Sequence, residues 1–137
     1  PGESVVVPSN GLRLVGLPAS PGSGWGHRVE LEEAMNKAPI DAYVFMSPSS
    51  RLFPDTDTAR VAGGAAAAIA RDGGMTSHMA VFWRGIGIPC VSLSEHNYNV
   101  ALQHSWLLVL GDSGEVYCYV QKPDLPTLLN SRGRSGD

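Results

Sequence analysis

Of the four histidines in the chain, His78 stands in the setting best suited to chemistry. It closes the run Gly73, Gly74, Met75, Thr76, Ser77, His78. Paired glycines let a backbone turn sharply and approach a ligand closely, and Thr76 and Ser77 are N-cap residue types. Met75, Met79, Phe82 and Ile86 then recur at helical spacing, which predicts a helix over residues 76–85 with His78 in its first turn. Unpaired backbone N–H groups and the positive end of the helix dipole favour an anion at such a place. A neutral imidazole there is a nitrogen nucleophile able to take up a phosphoryl group, and an unperturbed histidine is mostly neutral at pH 7. The same residues also fit a plain helix cap bearing a solvated histidine, and a motif this short does not separate the two.

Other constellations are weaker. The run 111–114, Gly-Asp-Ser-Gly, is shared with the nucleophile segment of some proteases, but Glu115 and Val116 break that pattern and a hairpin turn fits better. No G-x-S-x-G elbow is present. His27, His78, His96 and His104 with Cys90 and Cys118 show no zinc-ligand spacing, so no metal site is expected. His27 shares one face of an alternating strand with Trp25, Val29 and Leu31 and is expected half-buried. His96 and His104 are expected as polar surface. Arg84, in the helix of His78, is either a solvated charge or a contact for phosphate or a partner.

Three stretches taken in order carry a resemblance: GLPASPG at 16–22, GGMTSHMAVFWRGIGIPCV at 73–91 and GDSGEVY at 111–117. Together they resemble the phosphohistidine (swivelling) domain of the phosphoenolpyruvate-utilising enzymes over about residues 11–121, and GLPASPG with GGMTSH looks most like pyruvate phosphate dikinase. One departure stands out. Small residues usually follow the family's histidine, whereas this chain has Met79, Phe82 and Trp83.

The resemblance implies an α/β fold, a compact three-layer β/β/α swivelling domain with the central helix packed on a sheet. It implies that His78 shuttles a phosphoryl group, through Nε2, between an ATP-binding domain and a phosphoenolpyruvate/pyruvate-binding barrel on the same or a partner chain. Gly74, Thr76, Ser77 and Arg84 become the candidates for orienting the ring and the phosphate, and Thr76 a candidate regulatory phosphorylation site. The chain has no Gly-rich nucleotide loop and no carboxylate cluster for Mg²⁺, so no cofactor of its own is expected and Mg²⁺ belongs to the partner domains. Two alternatives stay open: a phosphoenolpyruvate synthase or other dikinase with a different acceptor, and a non-catalytic interaction module of the same fold.

These residues need elements to hold them. Strands are expected at 12–17, 25–31, 42–46, 90–93, 107–110 and 116–120, helices at 32–38 and 95–103, and a helical turn at 58–62. Residues 65–70 have strong helix propensity, yet a short apolar run between glycine pairs fits a buried strand, and the resemblance implies one feeding the glycine loop. Residues 47–57 are expected as a loop. Residues 1–10 read as a lead-in, 11–121 as the domain and 122–137 as a linker or tail.

The chain has 137 residues, enough for one domain with a proper core. A formal net charge of −3 without a basic stripe gives no reason to expect nucleic acid, and no run is apolar enough to span a membrane. The two cysteines sit in apolar runs and are expected as reduced, buried thiols in a cytoplasm-like compartment, with an organelle such as a plastid left open. Opening at Pro1 suits a processed chain or a domain of a longer protein.

Overall fold

The computed structural model describes residues 7–48, 56–71 and 77–123, with the backbone alone at 77–79. Eight strands and four helices run in the order β1 (Leu12–Val15), β2 (Leu17–Ser20), β3 (Ser23–Glu30), α1 (Leu31–Asn36), β4 (Tyr43–Ser47), α2 (Thr56–Gly63), β5 (Ala67–Arg71), α3 (Ser77–Gly85), β6 (Cys90–Leu93), α4 (Glu95–Ala101), β7 (Trp106–Leu110) and β8 (Glu115–Tyr119). All eight strands join one mixed sheet, ordered β1-β8-β7-β3-β4-β5-β6-β2. The central four, β3 to β6, are parallel, and the helices α1, α2 and α3 make the return crossings.

Each crossing moves one strand further in the same direction, so a constant crossover hand puts all three helices on one face. The packing agrees. Ala34 of α1, Val61 and Ala62 of α2 and Trp83 of α3 share a core with Phe45, Ala68, Ala70 and Cys90. The opposite face forms a second core. There Leu14, Val44, Met46, Ile69, Val91 and Val109 meet Tyr98 and Ala101 of α4. The alternation of these two sets along β4, β5 and β6 is the period-two pattern of strands buried on both faces.

The sheet curls. Its edge strands β1 and β2 stand at opposite ends of the strand order, yet Gly16 alone connects them. Two residues of chain reach about 7 Å at most, so the edges must come together at that end. The Gly16 N–H donates to the Gly114 carbonyl at 2.8 Å, bridging the closure to the β7–β8 turn.

The sequence-based elements fall close to these bounds, with instructive differences. The strand expected at 12–17 ends at Val15, and after Gly16 a separate strand, β2, runs Leu17–Ser20, where no strand was expected beyond residue 17. Residues 65–70 do form a strand, β5, despite their helix propensity, because its flanking strands supply partners on both sides. The helix expected to 103 stops at Ala101, where Leu102 caps it. His27 is exposed rather than half-buried. Val29, two residues on, is covered by the helix layer, and Trp25, two residues back, packs on Trp106 at 5.7 Å. His27 lies between the two covers and under neither. Cys90 and Cys118 are buried free thiols, on opposite faces of the sheet. The expected readings for most of 47–57, for 72–76 and for most of 122–137 lie outside the described residues.

Candidate functional site

Helix α3 begins at Ser77, so position 78 is its second residue, in the first turn where backbone N–H groups lack helical acceptors. The C-terminal end of the helix is fixed by its own chemistry. Gly87 adopts φ +71°, the Gly87 N–H donates to the Arg84 carbonyl at 3.2 Å and the Ile88 N–H to the Trp83 carbonyl at 3.2 Å. This is the Schellman pair of bonds, completed by apolar contact between the buried Ile88 and Trp83. Pro89 follows and prevents the helix from resuming.

Trp83 sets the height of α3 on the sheet. It is fully buried, with its ring centroid 6.3 Å from that of Phe45 and 5.1 Å from that of Phe82. The strand beneath is built of alanines, and Ala65, Ala68 and Ala70 leave the room that an indole fills. Position 78 is five residues back, roughly 7.5 Å up the helix axis. Ser47 is two residues beyond Phe45, roughly 6.6 Å up the strand. Because helix and strand run in opposite directions, position 78 stands level with the carboxyl ends of the parallel strands, the edge at which open α/β sheets place their ligands.

That level is not apolar. Ser47, Ala70 and Ser92 pair across three adjacent strands, and Ser47 and Ser92 are each 2 % exposed. They continue the alternation of Phe45 and Cys90 and so face the α3 side. Sequence reading passed over both. The available signal was a serine near the carboxyl end of two apolar strands. Arg71, the last residue of β5, donates from Nη2 to the Pro48 carbonyl at 3.2 Å and so ties the ends of β5 and β4. On the other face Tyr98 is buried under the same edge. Burial first, and Glu30 second, push its phenol well above the ordinary range, against the opposing pull of Arg71.

Around the helix axis position 78 falls about 140° from Trp83 and about 60° from Val81. Trp83 is fully buried and Val81 is 61 % exposed, so position 78 is on the solvent side of α3. Arg84 lies six residues on, roughly 9 Å along the axis, and its Nη1 donates to the Ala19 carbonyl at 3.3 Å. The structure therefore brings Arg84 to β2. Ser77 is the first residue of α3, while Gly74 and Thr76 lie outside the described residues. His96 is exposed on α4, and His104, beyond that helix, places Nδ1 2.9 Å from the Val100 carbonyl oxygen. Among the described residues no three His, Cys, Asp or Glu side chains converge as metal ligands would.

Residues 52–114 match the family model of the PEP-utilising enzyme, mobile domain. The match covers a little under half of the chain, spans α2 to the β7–β8 turn and includes His78, and it supports a swivelling domain of the phosphoenolpyruvate-utilising family. No curated protein matches the chain. In fold the chain is similar to the solution NMR structure of a UPF0107 protein, with a TM-score of 0.55 and 13 % identity over 78 % of this chain and 98 % of that one. At that identity the similarity speaks for the fold alone.

Proposed function

We propose that the chain is a phosphoryl-carrier domain and that His78 is the carrier, as in pyruvate phosphate dikinase. The observation that carries the reading is the position of His78. It is the second residue of a helix closed at its C-terminal end by a Schellman motif, on the solvent side, level with the carboxyl edge of four parallel strands. The family match over the same residues supports it.

In the proposed reaction a lone pair on neutral Nε2 attacks phosphorus of a nucleotide-derived donor. An N–P bond forms and the donor's P–O bond breaks. The leaving oxygen keeps the electron pair, and the ring's other nitrogen keeps its proton. At a second site the enolate oxygen of pyruvate attacks the same phosphorus, the N–P bond breaks and phosphoenolpyruvate forms; the reverse runs by the same steps. The nitrogen nucleophile divides one difficult transfer into two easier ones. Ser77, Thr76 and backbone N–H groups from Gly74 onward orient ring and phosphate in this reading, and phosphorylation of Thr76 is the candidate control.

The ATP site, the pyruvate site and Mg²⁺ belong to partner domains, in a cytoplasm-like compartment. Residues 11–121 are the carrier unit, 1–10 and 122–137 its connections. In this reading the curled sheet counts as two strand layers and α1 to α3 as the third. The test is phosphoryl labelling by the parent enzyme's nucleotide-binding domain. Wild type should gain acid-labile, base-stable phosphate and His78→Asn none, with unchanged far-UV circular dichroism. Equal labelling of the variant would remove His78 from the role.

A further inference from the structure

The three stretches that carry the family resemblance are far apart in sequence but meet in space, and one contact among them has no place in the phosphoryl chemistry. We propose that residues 16–22 form a bracket that holds the His78 helix, with Arg84 and Asp112 as its positioning residues. The inference rests on the reading of His78 as the carrier and adds to it what keeps the carrier's helix in place.

The bracket is gripped at both ends by one turn. At its start the Gly16 N–H donates to the Gly114 carbonyl at 2.8 Å. At its end the Gly111 N–H donates to the Gly22 carbonyl at 2.7 Å, and the Gly22 N–H donates to Asp112 Oδ1 at 3.1 Å. The fit is too close for a side chain, since a Cβ on Gly111 would collide with the Ser20 carbonyl oxygen. Between these grips, β2 pairs antiparallel with β6, and its Ala19 carbonyl accepts from Arg84 Nη1 at 3.3 Å. Arg84 is in the last turn of α3.

The helix is thus held at Trp83 by packing and at Arg84 by a charged donor, while β2, which receives that donor, cannot shift without breaking the turn's hold on residues 16 and 22. A carrier helix must present its first turn in the same pose at each transfer. A hinge at its far end would spread that pose over a wide arc, because the first turn lies roughly 9 Å from Arg84.

The test uses the 137-residue chain with Arg84→Met, Arg84→Lys, Asp112→Ala and the double change Arg84→Met with Asp112→Ala. Amide hydrogen exchange is followed across α3 at pH 7 with α4 as the internal reference, and His78 is labelled with phosphoramidate, a small donor that needs no protein partner. Loss of a hydrogen bond from a charged donor should speed α3 exchange about tenfold in Arg84→Met, leave α4 unchanged and slow labelling. Arg84→Lys, which keeps a donor, should restore both.

Asp112→Ala should loosen α3 to a similar degree, and the double variant should be no looser than the looser single, because both act through one bracket. Unchanged α3 exchange in Arg84→Met, an equal loss of protection in α4, or effects that multiply in the double variant would each overturn the bracket. Failure of the wild type to accept label on His78 would count against the carrier reading, while the exchange measurement would still decide the bracket.

Discussion

At the scale of single residues, positions 78 and 83 stand on different sides of α3. One position faces solvent level with the carboxyl edge, the other anchors the helix over an alanine-lined strand. Trp83 is where the chain departs from the small residues usual after the family's histidine, and the packing explains how it is accommodated. The indole is fully buried, and its Nε1 finds no hydrogen-bond partner among the described residues. Trp83→Ala should therefore cost about 3–5 kcal/mol, read as a lower urea midpoint. Trp83→Phe should cost much less, because it also removes the unpaired N–H. Equal losses for the two would mean that the indole's volume is not what the site requires. The glycine-framed pattern around His78, on which the carrier proposal rests, is visible in residue types alone. The serines at 47 and 92 are not, because a lone serine at the end of an apolar strand looks the same whether it is buried beneath a helix or open to water.

At the scale of elements, α3 shows how local signals and tertiary packing combine. Its end was readable from Gly85, Gly87 and Pro89, and the two glycines have different duties. Gly85 is within the helix, where a Cβ would meet nothing within 4 Å. Gly87 has equal space but sits at φ +71°. Gly85→Ala should stabilise by up to ~1 kcal/mol, and Gly87→Ala should destabilise by about 1–2 kcal/mol. Thermal melting of the two variants checks this, and shifts in the same direction would contradict the assigned roles. β5 shows the reverse balance. Five of its six expected residues are alanines that favour helix in isolation, and hydrogen bonds to β4 and β6 decide otherwise.

For the whole molecule, one consequence follows from a sheet buried on both faces and another from the proposed carrier role of His78. Burial pushes the Cys118 thiol up from an ordinary 9.0 to about 12 and raises Cys90 as well. The folded state then keeps protons that the unfolded state loses. The stabilisation is complete below pH 9.0, the ordinary thiol value, and falls as pH rises toward the folded values. Each thiol should cost the fold ~1.4 kcal/mol per pH unit within that window. Urea midpoints at neutral and alkaline pH check the slope, and Cys118→Ala should flatten it. The second consequence concerns transfer. In the proposed carrier reading a tether supplies an effective concentration on the order of mM, so the free domain at a few μM should be labelled about a hundredfold more slowly or worse than a tethered one. Comparable single-turnover rates would favour a fixed site over a moving one.

By itself the sequence determined the α/β class and most of the elements, and it singled out the glycine-framed His78 as the candidate, because strand alternation, helix caps and glycine framing are signals contained in a few neighbouring residues. Only the tertiary structure decided that β1 and β2 are opposite edges brought together at Gly16, that His27 lies exposed between two covers and that Arg84 reaches the Ala19 carbonyl. Each of these depends on contacts between residues distant in the chain. A strand's place in the sheet, a gap between packed layers and the carbonyl that a guanidinium finds are set by what folds against them, and no local pattern of residue types encodes that.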